Sequence, residues 1–432
     1  QVSIGKVENL EELVYGLLSM REALESSCRE QIIVAERKCD ETREEAKSSE
    51  NMLEDAIRQE QAAKQEVDSA QQALDSSQSS LASAHSSLSS CLAQPNDEDG
   101  TGPDCSSEES SVAEAEDAVE QAQGMLEQAE AGLELATENH QAMDRRVDLA
   151  KQAQAMAEQI LEQVQQECHV RLATVDQTIE IGTARLNAAQ QALDAYLAIN
   201  PPAADFHTWL KWSPTQHAGP ITPDTLRDRM NLSTEQRRMF QEYLYDRNPA
   251  YRRKVDAHRS EWASARGEIE RNIVARKTRI HLSGEFAEQI ARHALAPLGG
   301  RIETQGRTFV GDSGRYTKTD LIVTDLRVPV ILGRGDGMGA PVGGSMAFEV
   351  KCGKADYLYS QKDHMVFQAE GHKQADAQCT LCSRDIHDLP QEKEKELRDS
   401  LREAGSQLVG MLPYKNEIDQ SCLEFIREGA EE

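Results

Sequence analysis

An aspartate, a glutamate and a lysine in the C-terminal half have residue types and spacing that suit phosphodiester chemistry. Glu349 and Lys351 belong to SMAFEVKCG, residues 345–353, in which apolar and polar residues alternate as they do in a half-buried β-strand. Side chains two residues apart share one face of a strand, so this carboxylate and this ammonium are neighbours. Asp320 begins another strand-like segment, TDLIVTDL. Glu349 and Lys351 therefore form either an ion pair on a solvated face or half of an active site.

Metal-assisted hydrolysis explains why a carboxylate pair needs a lysine beside it. The oxygens of Asp320 and Glu349 would hold a hard cation, Mg²⁺ or Mn²⁺. The cation would neutralise a phosphate and lower the pKa of a bound water. Lys351 would orient that water or stabilise the charge that develops on the phosphate. We therefore predict that the three residues are catalytic and that Asp320 and Glu349 are the metal ligands, with a surface ion pair as the alternative.

The segments KTDLIV and AFEVKCG, with Asp320 in the first and Glu349 and Lys351 in the second, resemble the motifs of the PD-(D/E)xK, or restriction-endonuclease-like, nuclease superfamily. The resemblance covers roughly residues 282–430. It implies a C-terminal α/β nuclease domain, Mg²⁺-dependent cleavage of nucleic acid, and DNA as the expected substrate.

The resemblance also implies three further site residues. Glu285, in SGEFAEQ, corresponds by position to the additional acidic residue that many members place on the first helix. Gln368 and Gln374 lie on the helix after the motif, where some members bind substrate. Thr319 stands where the motif name has proline, a frequent departure in the superfamily.

The separation of Asp320 from Glu349 leaves the identity of the first metal ligand open. The intervening chain includes the glycine-rich LGRGDGMGAPVGG, which is expected to be a flexible loop over the active site. Asp325 or Asp312 is the alternative ligand.

The remaining segments of this region predict a mixed α/β domain. A helix is expected over SGEFAEQIARHALAPLGG with Ser283 as its N-cap. Strands are expected at RIETQGRTFV, TDLIVTDL and RVPVIL, and helices over SQKDHMVFQAEGHKQADAQ, LPQEKEKELRDSLREAG and NEIDQSCLEFIREG.

Cysteine and histidine residues offer two other metal-site interpretations. Cys379 and Cys382, in CTLC, would form a zinc site with His372 or His387, or they are two core residues of a helix. His364 and His372 would form a nuclease centre of the histidine–metal kind, although no accompanying Asn/His pair at suitable spacing supports it.

The N-terminal half predicts two long helices that fold back on each other. Residues 6–93 and 110–198 lack proline and repeat apolar residues every seven positions, with a loop-like segment at about 94–109. If facing residue numbers sum to 196, large residues face small ones, as Leu81 faces Ala115. We therefore predict an antiparallel coiled-coil hairpin.

The same register brings two pairs of cysteines together. Cys28 falls opposite Cys168, and Cys91 falls opposite Cys105. Each pair is either a disulfide formed in an oxidising environment or two small core residues.

Charge separates the two halves of the chain. Residues 1–200 contain 14 Lys and Arg against 40 Asp and Glu, whereas residues 201–432 contain 33 against 35. The acidity that argues against a nucleic-acid partner is thus a property of the first half. Residues 251–280 contain nine basic and four acidic residues. They are either a contact for a phosphate backbone or a solvated helix that faces the acidic half.

The fold class expected is a multi-domain chain with three parts. Residues 1–199 form the coiled-coil hairpin, residues 200–281 form a helical and partly basic connector, and residues 282–432 form the PD-(D/E)xK-like domain. No apolar run is long enough for a membrane span. A sequence that starts with Gln and shows no signal peptide is expected to be a fragment or a processed product.

The order of these parts resembles bacterial polymorphic toxins and interbacterial effectors, and also colicin-type bacteriocins. This implies an antibacterial nuclease that is secreted or translocated into the cytoplasm of a target cell. Its expected partners are DNA, a cognate immunity protein, and a secretion-system or chaperone partner of the coiled coil. The alternatives are a cytoplasmic DNA-maintenance or phage-defence nuclease whose coiled-coil arm oligomerises, and a structural protein with a decayed nuclease fold.

Overall fold

The computed structural model describes residues 3–95, 102–217, 219–304, 308–310, 316–334, 338–372 and 375–431. Two compact units are present: Leu17–Ile179, and Gln1–Gly16 together with Glu180–Glu432. We call them the hairpin unit and, after the activity expected from the sequence, the catalytic unit. No helix in the described ranges has the length and apolar character needed to cross a bilayer.

The hairpin unit consists of most of two long helices, α1 (Ile4–Leu92) and α2 (Ser106–Ile199). They pair antiparallel, and disulfides join Cys28 to Cys168 and Cys91 to Cys105. Both pairs have residue numbers that sum to 196, so the predicted register is confirmed. Helix α2 begins slightly earlier than predicted, with Glu108 and Glu109 in its first turn, where acidic side chains favour the helix dipole.

Two polar interruptions of the apolar heptads face each other in the hairpin unit. Glu60 replaces an apolar residue on α1, and His140 does so on α2. His140 Nδ1 lies 2.5 Å from Glu60 Oε2. The two polar side chains therefore hydrogen-bond to each other, which explains why the continuous helix pair tolerates both of them.

Helices dominate the first part of the catalytic unit. Asn200, Thr222, Ser233 and Asn248 cap the N-termini of the first four short helices through their side chains. A 3-10 turn (Pro214–Gln216) lies between the first two. The helices are α3 (Pro201–Leu210), α4 (Pro223–Met230), α5 (Thr234–Arg247), α6 (Pro249–Ser264) and α7 (Glu268–Leu295).

Helix α7 is longer than the sequence predicts. Ser283 is buried in the middle of it, so its predicted role as an N-cap is wrong. Val274, Thr278, Leu282 and Phe286 recur at four-residue intervals and are buried, so one face of α7 is continuous through this point. The predicted boundary between residues 281 and 282 falls inside this helix.

A five-stranded mixed sheet forms the second part of the catalytic unit. Its strands are β1 (Gly299–Thr304), β4 (Leu321–Leu326), β7 (Met346–Lys351), β8 (Ala377–Ser383) and β9 (Gln407–Leu412), in that spatial order. The first three pair antiparallel, and β7, β8 and β9 run parallel. Gly299 packs so closely on β4 that an added Cβ would lie 2.4 Å from the carbonyl oxygen of Thr324. Two small ribbons accompany the sheet: β2 (Thr308–Val310) with β3 (Tyr316–Lys318), and β5 (Val330–Ile331) with β6 (Gly339–Ala340).

Two of the five strands differ from the sequence prediction. A helix was expected over residues 360–378, but the observed helix ends at Gly371. Strand β8 follows it and contains the CTLC motif, for which a helix was also expected. Strand β9, in QLVGML, was not predicted. Every residue of β8 is buried, including Gln378 and Thr380, whose side chains bond Ala404 O and Ser406 Oγ. These polar residues break the apolar run by which a buried parallel strand is normally recognised.

The remaining helices pack around this sheet, and an aromatic group ties the early helices to α7. Phe240 of α5 has its ring 5.4 Å from Trp209 of α3 and 5.7 Å from Phe286 of α7. These contacts fix the helix that carries the acidic residues discussed below. The other elements are short 3-10 turns at Ala296–Leu298 and Arg384–Asp388, and α8 (Ala355–Ser360), α9 (Lys362–Gly371), α10 (Gln391–Glu403) and α11 (Lys415–Glu431).

Candidate active site

Strand pairing places Asp320 beside Glu349. In the antiparallel register of β4 and β7, Leu321 pairs with Phe348, and Asp320 immediately precedes Leu321. Asp320 Oδ2 accepts a hydrogen bond from the backbone N–H of Val350 at 2.8 Å. The two carboxyl groups that the sequence separates by a long glycine-rich segment are therefore neighbours at one end of the β4–β7 pair.

The carboxyl group of Glu349 is enclosed by polar side chains. It is 2% exposed, and its Oε2 accepts hydrogen bonds from Gln368 Nε2 at 2.8 Å and Lys351 Nζ at 3.3 Å. Its Oε1 makes no hydrogen bond within the described part of the chain, and it lies 3.4 Å from His372 Nε2. Burial, followed by the nearby Asp320 carboxylate, raises the pKa of Glu349 to about 9, although Lys351 opposes the effect.

Lys351 ends β7 and turns its side chain to the same group of residues. The side chain is 16% exposed, and its Nζ lies 3.3 Å from Glu349 Oε2. The segment after it is fixed, because Ser383 Oγ donates to the carbonyl of Gly353 at 2.6 Å. The ammonium thus lies next to the Glu349 carboxyl group.

Helix α7 contributes two acidic residues one turn apart. Glu285, predicted from the sequence, forms an ion pair with Lys254 and accepts a hydrogen bond from Gln289 at 3.3 Å. Glu288 was not predicted. Burial, followed by the charges of Asp320 and Glu285, raises the pKa of Glu288 to about 7. The charge of Asp320 thus acts on Glu288, and the i, i+3 spacing from Glu285 on one helix face was the sequence signal that could have identified Glu288.

The other predicted residues have different positions. Gln368 is 5% exposed and its amide contacts Glu349, so it belongs to the enclosure of that carboxylate. Gln374 and Asp312 lie outside the described residues. Asp325 lies five residues along β4 from Asp320, about 16 Å away in an extended strand, so its proposal as the ligand beside Glu349 is wrong.

The cysteine and histidine alternatives do not assemble into a centre. Cys379 and Cys382 are buried in β8, where burial raises the pKa of the Cys382 thiol to about 12. His387 pairs with Glu394, and His364 is exposed on α9. Within the described ranges, no group of three or more His, Cys, Asp and Glu side chains has an arrangement that could hold a metal ion.

A divalent cation nevertheless fits the chemistry of the two neighbouring carboxylates. Glu349 Oε1 is a buried oxygen without a hydrogen bond among the described residues, and Asp320 adds a second negative charge next to it. Mg²⁺ commonly takes only one or two carboxylates from a protein and completes its shell with water and substrate phosphate. Asp320 and Glu349 are the residues that would hold it.

Comparison with known proteins identifies no relative: no family model, curated protein or solved structure matches the chain. The chemistry of the site therefore has to be argued from its own geometry. Two carboxyl groups, a half-buried lysine and a second acidic pair on α7 have the chemistry to bind a divalent cation, hold an anionic substrate and move a proton.

Proposed function

We propose that the catalytic unit is a metal-dependent phosphodiesterase that hydrolyses nucleic acid, with DNA as the principal substrate. One observation carries the proposal: Asp320, Glu349 and Lys351 meet on adjacent strands although 28 residues separate the two carboxylates in sequence. The resemblance of the segments around these residues to the PD-(D/E)xK superfamily supports the same chemistry. The five-stranded mixed sheet between helices is compatible with it.

In the proposed reaction, the residues of the chain have separate tasks. Asp320 and Glu349 would hold the cation, which would activate a water and neutralise the phosphate. The backbone N–H of Val350 fixes the Asp320 carboxylate in the orientation that faces Glu349. Lys351 stabilises the negative charge that grows on the non-bridging phosphate oxygens, because its ammonium is held near the site. We assign the acceptance of a proton from the attacking water to Glu288, because burial and the charges of Asp320 and Glu285 raise the pKa of this residue to about 7.

Exposed basic residues near these elements favour a polymeric substrate over a small phosphate ester. Lys318, two residues before Asp320, and Lys354, three residues after Lys351, are exposed. Helices α6 and α7 expose further basic side chains in the segment 251–280. A nucleic acid that crosses the site would place neighbouring phosphates near these cations. The exposed basic residues of that segment include Arg253, Lys254, Arg271, Arg276, Lys277 and Arg279.

The disulfides of the hairpin unit favour a protein that passes through an oxidising compartment. Two disulfides join its helices, and disulfides persist in secreted, periplasmic or surface settings rather than in a reducing cytoplasm. This favours the exported antibacterial nuclease over the cytoplasmic maintenance enzyme. The acidic surface of the unit would then contact a secretion-system or chaperone partner, and a cognate immunity protein would protect the producing cell.

Nuclease assays on the full chain test the proposal directly. Purified protein would be incubated with supercoiled DNA, linear DNA and RNA in Mg²⁺, in Mn²⁺ and in EDTA. We expect cleavage with either cation, none in EDTA, and a loss of at least about 100-fold in Glu349→Gln and Lys351→Met. Glu392→Gln, an exposed change in the first turn of α10, is the matched control. Wild-type rates in Glu349→Gln, or no cleavage of any substrate by the wild type, would overturn the proposal.

Expression in bacteria tests the antibacterial role. The full chain and its Glu349→Gln variant would be produced from a tightly repressed promoter, with growth and chromosomal integrity as the measurements. The toxin proposal predicts growth arrest with DNA fragmentation for the wild type alone. Equal growth of both strains at equal protein levels would exclude it while leaving the enzymatic assay as a separate test.

A further inference from the structure

His372 is a buried histidine that the proposed reaction does not use. It is 2% exposed and lies at the C-terminal end of α9. Its backbone is fixed on both sides: its N–H bonds Gln368 O at 3.1 Å, and Ala375 N–H bonds its carbonyl at 3.1 Å. Its ring nitrogen Nε2 lies 3.4 Å from Glu349 Oε1. The helix end thus holds the imidazole against one oxygen of the proposed metal ligand.

Gln368 holds the other oxygen from the same helix. Residues four apart lie on one face of a helix, so Gln368 and His372 reach the same carboxylate as a pair. Gln368 Nε2 contacts Oε2 at 2.8 Å, while His372 Nε2 faces Oε1. Both side chains approach from α9, whereas Asp320 approaches from β4. The carboxyl group of Glu349 is therefore enclosed by α9 on one side and faces the second ligand on the other.

This arrangement matters because a glutamate has three rotatable side-chain bonds. Without contacts on the α9 side, the carboxylate of Glu349 could rotate away from Asp320. Gln368 donates to Oε2 without adding a charge, and the His372 ring puts a second polar nitrogen 3.4 Å from Oε1, so Gln368 leaves in place the negative charge that a cation requires. Groups that orient a ligating carboxylate in this way typically contribute 10–100-fold to metal affinity.

We propose that His372, together with Gln368, is a positioning residue that orients the Glu349 carboxylate for a divalent cation. The inference rests on the proposed function, since it assumes that Glu349 is a metal ligand. It assigns His372 to the support of one carboxylate rather than to a separate histidine–metal centre. It also gives Gln368 a structural task in the site in place of contact with the substrate.

Calorimetric titration of the full chain with Mn²⁺ alone, without nucleic acid, tests the inference. We expect His372→Ala to weaken Mn²⁺ binding about 10–100-fold. His372→Gln, which retains an N–H donor, should recover most of the affinity, and Gln368→Met should show a loss of its own. His387→Ala is the matched control, because this histidine pairs with Glu394 outside the site. Circular dichroism checks that each variant is folded.

If His372→Ala does not fold, His372→Gln is compared with His372→Met, which fills the same space without a donor. Mn²⁺ affinity in His372→Ala or His372→Met equal to that of the wild type would overturn the inference. Cleavage by the wild type separates the outcomes. If a His372 variant binds Mn²⁺ normally and the wild type cleaves nucleic acid, only the proposed role of His372 is rejected. Absence of Mn²⁺ binding and of cleavage in the wild type removes the proposed function together with it.

Discussion

Asp320 Oδ2 accepts a hydrogen bond from the backbone N–H of Val350, the residue between Glu349 and Lys351. An aspartate side chain on one strand is thus fixed by the main chain of the next. The position of one carboxylate relative to the other depends on strand pairing and not on the intervening loop. The geometry of the candidate site is therefore as rigid as the β4–β7 pair itself.

Replacement of Asp320 should abolish the proposed activity with little effect on folding. Asp320→Asn keeps an oxygen for the Val350 N–H but removes the charge that a cation needs. We expect a loss of at least about 100-fold in nuclease rate and a clear loss of Mn²⁺ binding. Asp325→Asn, on the same strand but about 16 Å away, should retain activity. Equal loss in both variants would contradict the assignment of the ligand.

The two acids of α7 should differ in their contribution. Glu285 is neutralised by Lys254, whereas Glu288 is coupled to Asp320. We expect Glu288→Gln to lower the rate of cleavage by about 100–10,000-fold, as removal of a general base does, and Glu285→Gln to lower it much less. Steady-state rates at saturating DNA distinguish the two. A larger loss in Glu285→Gln than in Glu288→Gln would instead support the sequence prediction that Glu285 is the acidic site residue of this helix.

His293 should make the catalytic unit sensitive to acid. Burial lowers the pKa of this histidine to about 4, whereas a histidine in the unfolded chain titrates near 6.5. Between these values only the unfolded chain binds the proton, so the free energy of unfolding falls as the pH decreases from about 6.5 to about 4. The loss from this residue is about 3 kcal/mol at the most, and the contribution is fully present above pH 6.5.

Substitution of His293 by Phe tests this dependence. The ring contacts of His293 with Phe240 and Tyr243 are compatible with a second aromatic ring, so the variant is expected to fold. Denaturant unfolding at pH 7 and at pH 4 should show a smaller difference between the two pH values in His293→Phe than in the wild type. His387→Gln, at a half-exposed histidine, is the control. An unchanged pH difference in His293→Phe would contradict the prediction.

Reduction should destabilise the hairpin unit and spare the catalytic unit. The disulfide Cys28–Cys168 closes a loop of 140 residues, and Cys91–Cys105 closes one of 14. Removal of a disulfide typically costs about 2–5 kcal/mol of stability. We therefore expect a reductant, or the double change Cys28→Ser and Cys168→Ser, to lower the unfolding temperature measured by helix-specific circular dichroism. Nuclease activity per molecule should remain, because the site contains none of these cysteines.

The parts of the fold that sequence predicts best are those set by local repetition. The heptads of α1 and α2 specify both the helices and their register, because apolar residues recur at the same heptad positions along each helix. Strands β4 and β7 were predictable because one face of each is consistently apolar. Strand β8 was not, since Gln378 and Thr380 find their partners only after the sheet has formed.

The contacts of the candidate site were expected only in part. Asp320, Glu349 and Lys351 were grouped from their types and spacing, and the structure brings these three residues together. Glu288 and the role of His372 were missed because both depend on where a helix lies relative to a strand. The error at Ser283 had the same cause: a polar residue inside a buried helix face has the same appearance in sequence as an N-cap.

The shared register of the two disulfides has a consequence for how the chain acquires them. Nine cysteines allow many incorrect pairings during oxidation. Cys379, Cys382 and Cys422 can no longer form such pairings once they are buried in the folded catalytic unit. The four that become bonded are brought together only when the heptads have aligned the helices. The coiled coil therefore acts as a template for its own oxidation, because the correct disulfides form only after the two helices have aligned in register.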